Sequence, residues 1–270
     1  MTPVFYINIF GDFAFPVYVF GLSIVICFFL FLWMLKKLSV RFGFEYHFFT
    51  NSILWYFFSI FIFSRLFYVI SMWKDMQHIE NLSGFFIMTD YNFSLFWAIF
   101  WFCVILFLNT KLLKKSIHKY IDGFTLAFLF TIIFWYIGLF LSWAWYWEST
   151  TSWLGVPYIS TSLSTTPTGS FLPIALIYSG LSFILFSVLY ILSMYINVRG
   201  LLWYIWLGIF SAITLILEYY SAKPDVFSLT YNISFSQMWA IIFICISFYG
   251  IYRVMNISWN SKNTILGDIS

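Results

Sequence analysis

Two charged residues lie within the apolar stretches of the chain, Arg65 and Glu218. A charge in the hydrocarbon core of a membrane costs about 2.5 to 3.5 kcal/mol even on a lenient scale, so such residues are rare and usually mark functional or paired interior sites. The pair therefore predicts one of two arrangements. Either an ion pair locks two helices together, or the two residues form a catalytic or lipid-headgroup site.

The composition excludes a soluble protein. Of the 270 residues, 63% are hydrophobic and only 9% are charged, whereas soluble domains are about 25% charged. Long apolar runs must satisfy their backbone groups internally when they cross a bilayer, which favours helices. We therefore predict an all-α polytopic membrane protein that forms a single domain over residues 1–270.

Hydropathy separates seven transmembrane helices of about 20 residues each. They are expected near residues 15–35, 48–72, 92–109, 121–147, 171–196, 201–220 and 234–254. Ten of the thirteen Lys and Arg residues follow the odd-numbered helices, two lie in the other loops, and Arg65 is internal. Because positive residues accumulate on the cytoplasmic side, the N-terminus is predicted outside and the C-terminus inside.

The same mapping places the two internal charges in one leaflet. Arg65 precedes the expected outer end of the second helix, at Trp73, by ~12 Å, and Glu218 precedes Lys223 by ~7 Å, at about 1.5 Å of rise per residue. Both therefore belong to the outer half of the membrane. They are expected to pair if the second and sixth helices are neighbours.

Other functional classes lack support in the sequence. No basic aromatic surface outside the spans suits nucleic acid. The three histidines lie in loops or at membrane borders, and the three cysteines lie in separate apolar runs, so no metal site or cofactor is expected. The N-terminus lacks the charged segment and cleavage site of a signal peptide, so the first apolar run is expected to persist as a helix.

Several short motifs occur in order over nearly the whole chain. They are Phe20-Gly21-Leu22, Ser64-Arg65-Leu66-Phe67-Tyr68-Val69, Asp122, Arg199-Gly200, Glu218-Tyr219-Tyr220, Pro224-Asp225 and Ser234-Phe235-Ser236-Gln237. Together they resemble the motifs of the prolipoprotein diacylglyceryl transferase family. This resemblance implies a seven-helix fold and catalytic roles for Arg65 and Glu218.

The resemblance also implies substrate-binding positions, some of them altered. The family's fourth-helix signature aligns with Trp135–Trp147 and keeps Gly138, but Tyr136 replaces an arginine and Ser142 an asparagine. Thr214 replaces a second arginine. The resemblance makes Tyr136, Gly138, Ser142 and Gln237 candidate substrate-binding residues.

Tryptophan occupies several positions where the family has glycine. These residues are Trp97, Trp101, Trp135, Trp143 and Trp147. Indoles would either fill the substrate cavity or separate the helices around a reshaped one, because glycine lets helices approach closely. Alternatively, UGA encodes glycine in some bacterial lineages, and another codon table would turn such glycines into tryptophan.

The resemblance implies transfer of diacylglyceryl from phosphatidylglycerol to the cysteine of a lipoprotein signal peptide. The expected partners are therefore that phospholipid and prolipoprotein signal peptides, and the expected location is the bacterial cytoplasmic (inner) membrane. Two alternatives remain: a catalytically inactive relative that binds lipid or a membrane partner, and a small transporter. One Arg with one Glu gives a transporter few intramembrane polar groups.

Overall fold

The computed structural model describes residues 4–10, 13–71, 95–142, 150, 153, 155–157, 170–196, 198–220, 226–228 and 233–267. Two compact units are present. The first comprises Met1–Leu38, Phe124–Asn197 and Ile216–Lys223, and the second comprises Ser39–Gly123, Val198–Leu215 and Pro224–Ser270. The expected single domain stays a prediction.

Helices dominate the described part of the chain. They are α1 (Val19–Phe42), α2 (Tyr46–Thr50), α3 (Ile53–Ser71), α4 (Leu95–Leu112), α5 (Ile117–Ser142), α6 (Ile174–Tyr195), α7 (Leu201–Leu217) and α8 (Phe235–Gly267). A 3₁₀ turn, Glu218–Tyr220, continues α7. The all-α class predicted from composition is confirmed.

Several helices are long and apolar enough to cross a membrane. Within the described residues they are Val19–Phe42, Ile117–Ser142, Ile174–Tyr195, Leu201–Tyr220 and Ser236–Ile257, with the shorter apolar helix Ala98–Leu112. Large apolar side chains on the helices are exposed, such as Phe29 at 64% and Trp55 at 70%. Exposed apolar surface of this kind suits a lipid environment, so the chain is a multi-pass membrane protein. The count of seven spans and their orientation stay predictions.

The first predicted helix starts too early. Residues Phe13–Tyr18 form strand β2, which pairs antiparallel with β1 (Val4–Phe10), and α1 begins only at Val19. The helix then runs to Phe42, beyond the expected end at residue 35. Local hydropathy missed this boundary because strand pairing depends on the partner segment.

Other boundaries differ in the same way. The second predicted helix is interrupted at Asn51-Ser52, between α2 and α3, and the last continues to Gly267 rather than residue 254. Residues 72, 92–94 and 143–147 of the predicted spans lie outside the described residues. Two further short ladders are present, Val156–Pro157 (β3) with Ser170–Phe171 (β4), and Val226–Ser228 (β5) with Ile233–Ser234 (β6).

Aromatic contacts hold the first unit together. Phe31 of α1 stacks on Phe124 of α5 with ring centroids 6.4 Å apart, and Trp33 packs against Phe130 at 6.0 Å. Phe130 also contacts Phe186 of α6 at 5.4 Å. Aromatic side chains bury large apolar areas, so α1, α5 and α6 form one packed group.

The second unit packs α3 against α4. Phe63 of α3 stacks on Trp101 of α4 with ring centroids 3.6 Å apart. Near the start of α5, Tyr120 packs against Phe48 at 4.3 Å and Phe44 at 5.5 Å. A small, half-open apolar pocket of about 210 Å³ lies between α7 and α8, with Gly208, Ala212, Ile244 and Phe248 in its wall.

Candidate active site

A pair of buried tyrosines lies between α5 and α6. Tyr136 is 4% exposed, and its ring stacks on that of Tyr178, which is 2% exposed. The centroids lie 4.8 Å apart and the ring planes differ by 12°. Two phenol hydroxyls are thereby placed in the interior of the first unit.

A side-chain hydrogen bond links the same two helices. The hydroxyl of Ser179 donates to the carbonyl oxygen of Ile133 over 3.0 Å. A hydroxyl inside an apolar helix pair needs such an acceptor, because no water is available to it there. The bond fixes α6 against α5 directly beside Tyr178.

Gly138 lies where α5 comes closest to α1. A β-carbon added at Gly138 would come within 2.3 Å of Ser23 Oγ and 2.4 Å of Ser23 Cβ. The Ser23 hydroxyl itself donates to the carbonyl of Phe20 over 2.7 Å, and Phe20 packs edge-on against Trp135 at 5.3 Å. Gly138 therefore permits close helix packing. Its role in substrate binding stays a prediction.

Ser142 is buried near the end of α5. Its hydroxyl donates to the carbonyl of Leu139 over 3.1 Å. The proton is thus engaged within the helix, while the oxygen lone pairs can still accept a hydrogen bond. Substrate binding by Ser142 stays a prediction.

Glu218 belongs to the same unit as the tyrosine pair. It opens the 3₁₀ turn after α7 and is 6% exposed. Its carboxylate interacts electrostatically with Tyr136, as does Tyr178. Glu218 and Tyr136, two residues predicted from the sequence, therefore belong to one unit with Tyr178 and interact electrostatically, while their roles in substrate binding and catalysis stay predictions.

Arg65 lies within α3, but its side chain is outside the described residues. The predicted pairing of Arg65 with Glu218 therefore stays a prediction. Thr214, at the position of the second family arginine, is buried, and its hydroxyl donates to the carbonyl of Phe210 over 3.0 Å. Threonine commonly forms such a bond to its own helix.

Gln237 forms a capping box at the start of α8. Its backbone N–H donates to Ser234 Oγ over 3.1 Å, and its side-chain oxygen accepts from the Ser234 N–H over 3.0 Å. Its side-chain nitrogen donates to the carbonyl of Leu215 over 3.5 Å. This reciprocal pattern satisfies two N–H groups of a helix start. The structure thus gives Gln237 a capping function, and its predicted substrate contact stays untested.

Asp122 holds the beginning of α7. Its buried carboxylate accepts hydrogen bonds from the N–H groups of Gly200 over 2.5 Å and Trp203 over 3.1 Å. Gly200 has a φ of +85°, and a β-carbon there would lie 2.6 Å from His118 Nδ1. Only glycine fits both constraints easily. The aspartate and the glycine identified in separate motifs are therefore hydrogen-bonded partners.

Tyr178 and Ser179 were not among the site residues predicted from the sequence. The sequence contained one signal for Ser179. A serine in an apolar span must donate its hydroxyl to an acceptor in its own helix or in a neighbouring helix. No group of three or more His, Cys, Asp and Glu side chains suited to a metal occurs among the residues that the structure describes.

Comparison with known protein families identifies the family of this chain. The family model for prolipoprotein diacylglyceryl transferase matches residues 7–253. The chain belongs to the prolipoprotein diacylglyceryl transferase family. No curated protein matches the chain significantly. Membership implies a transferase of lipoprotein biosynthesis and a lipid partner, and it confirms the resemblance seen in the motifs.

Proposed function

We propose that the chain transfers the diacylglyceryl group of phosphatidylglycerol to the cysteine thiol of a prolipoprotein signal peptide in the bacterial cytoplasmic membrane. The observation that supports this most directly is the buried carboxylate of Glu218, which interacts electrostatically with Tyr136 of the Tyr136–Tyr178 stack. Such a cluster supplies a proton acceptor and hydroxyl donors inside a member of this transferase family.

The reaction requires one bond to form and one to break. The thiol sulfur attacks the glyceryl carbon that carries the phosphate, a C–S bond forms, the C–O bond breaks, and glycerol phosphate leaves. Glu218 would accept the thiol proton. The Arg65 guanidinium would hold two phosphate oxygens, because its planar fork matches their geometry. The Tyr136 hydroxyl would donate to the departing phosphate, and the Ser142 hydroxyl would have to exchange its bond to the Leu139 carbonyl for one to the phosphate.

A second candidate is a relative that binds lipid without turnover. It is favoured by the bond from Thr214 to Phe210 and by the buried stack of Tyr136. Neither side chain carries the positive charge that the family places at its position. Electrostatic stabilisation is commonly the largest contribution to such catalysis, so its loss favours binding over turnover.

An assay with labelled lipid separates the two functions. The purified chain is placed in vesicles of phosphatidylcholine and phosphatidylglycerol whose diacylglyceryl group is labelled, and a lipobox peptide is added. The first function predicts a labelled thioether peptide, and none when the peptide cysteine is replaced by serine. Folded protein that gives no product above background but still binds the labelled phosphatidylglycerol would support the second function.

Variants identify the groups that act. Arg65→Gln and Glu218→Gln are each expected to lower kcat by roughly 100-fold to 1,000-fold, the usual cost of removing one charged or donor group from a reacting site. Ser187→Ala is the matched control, because this exposed hydroxyl only bonds to the carbonyl of Phe183 within α6. Equal rates for all three variants would contradict the assigned roles.

A further inference from the structure

Tyr136 occupies the position of a family arginine, and its environment determines where its hydroxyl can point. The parallel stack on Tyr178, at 4.8 Å and 12°, limits how far the Tyr136 side chain can swing about its Cα–Cβ bond. Both rings are buried, so neither can turn outward without opening the core. The direction of the Tyr136 hydroxyl is thus set by a neighbour on another helix.

The position of Tyr178 is itself fixed. The adjacent residue, Ser179, bonds to the carbonyl of Ile133, which lies less than one helical turn before Tyr136. A single hydrogen bond thereby sets the register of α6 on α5 at the level of the two rings. Tyr178 consequently presents one ring face to Tyr136.

We propose that Tyr178 is a positioning residue, which holds the Tyr136 hydroxyl in place beside Glu218 for the transfer reaction. This inference rests on the proposed function, since Tyr136 acts there on the departing phosphate. The interaction of Glu218 with Tyr136 supplies the third member of the arrangement. The ring of Tyr178, rather than its hydroxyl, performs the task.

Kinetics with single and double variants test the role of the ring. Tyr178→Leu and Tyr178→Met remove the flat face but keep an apolar side chain, and the expected loss in kcat is about threefold to tenfold, the range for a lost aromatic pair. Tyr178→Phe, which keeps the ring, is expected to retain most of the wild-type kcat. The double variant Tyr136→Phe/Tyr178→Leu is expected to be no slower than Tyr136→Phe, because the placement of a missing hydroxyl has no effect.

Two kinetic outcomes contradict the proposal. If the losses from Tyr136→Phe and Tyr178→Leu multiply, the two residues act independently. If Tyr178→Phe is as slow as Tyr178→Leu, the hydroxyl rather than the ring of Tyr178 matters. Either result would overturn the positioning role.

A readout without turnover separates this inference from the proposed function. Fluorotyrosine placed at position 136 gives a ¹⁹F resonance that is shifted by the ring current of Tyr178. The shift is expected to persist in Tyr178→Phe and to disappear in Tyr178→Leu and Tyr178→Met. Should the wild-type chain transfer no lipid, the proposed function fails, and the resonance alone then decides whether Tyr178 places the ring. An unchanged resonance in Tyr178→Leu overturns that placement.

Discussion

Gly138 of α5 lies so close to Ser23 of α1 that a β-carbon on the glycine would come within 2.3 Å of the serine Oγ. We therefore expect Gly138→Ala to destabilise the first unit by about 1–3 kcal/mol, the typical cost of overpacking. Thermal unfolding in detergent measures this effect.

A second substitution, at Ser23, should relieve the clash caused by Gly138→Ala. Ser23→Gly removes both atoms nearest to the added methyl, so Gly138→Ala/Ser23→Gly is expected to be more stable than Gly138→Ala alone. Gly180 of α6 is the matched control, because a β-carbon there meets nothing within 4 Å. Because alanine favours a helix more than glycine does, Gly180→Ala is expected to be neutral or stabilising, and a destabilisation as large as that of Gly138→Ala would argue against close approach as the cause.

Asp122→Asn is expected to loosen the beginning of α7. An amide offers one acceptor oxygen and turns an NH₂ group toward a backbone N–H that needs an acceptor, so the expected cost is about 1–3 kcal/mol. Hydrogen exchange at the amides of Gly200 and Trp203 should become faster. Glu45→Gln serves as the control for loss of an exposed carboxylate, and equal effects in the two variants would argue against the cap.

Gln237→Ala is expected to cost about 1 kcal/mol, because it removes the side-chain half of the capping box. Gln237→Glu keeps an acceptor oxygen for the Ser234 N–H but loses the donor to the Leu215 carbonyl, so it is expected to retain only part of this stability. Thermal unfolding and the apparent KM for phosphatidylglycerol are measured together. A higher KM at a temperature where Gln237→Glu is still fully folded would support the predicted substrate contact.

The contribution of the exposed Glu45–Lys115 ion pair to stability should depend on pH. The hydrogen bond from Lys115 lowers the pKa of the Glu45 carboxyl, and the same bond with Glu45 raises the pKa of the Lys115 amine. A carboxyl group whose pKa is lower in the folded state than in the unfolded state stabilises the fold at pH values above its unfolded-state pKa. This contribution is lost as the pH falls through the folded-state pKa. We expect ¹³C NMR titration to give a higher Glu45 pKa in Lys115→Met than in the wild-type chain. Identical titrations would show that the pair does not persist in solution.

The mass of the intact protein shows whether Trp101 and the other four tryptophans at the family's glycine positions are tryptophan or glycine. The indole N–H of Trp101 is buried without a hydrogen-bond partner, and the ring stacks on Phe63. If glycine is encoded at the five tryptophan positions named above, the intact protein from its native host will be lighter by the difference between the two residues at each position. A mass that matches the printed sequence would exclude that alternative.

The helices could be predicted because a span needs about 20 apolar residues, and this signal is local. The Ser234–Gln237 capping box could also have been found, since its spacing is visible in the sequence. The bond between Asp122 and Gly200 could not be predicted, because it joins a residue of α5 to a turn residue just before α7, 78 positions further along the chain. The Tyr136–Tyr178 stack likewise depends on how α5 and α6 pack.

The tyrosine stack also bears on the history of the site. A planar guanidinium stacks on an aromatic face much as a phenol ring does, so Tyr178 offers position 136 a surface that suits either side chain. Exchange between arginine and tyrosine at that position therefore needs no rebuilding of α6. An arginine and a tyrosine at position 136 would thus differ in charge but share the same aromatic support from Tyr178.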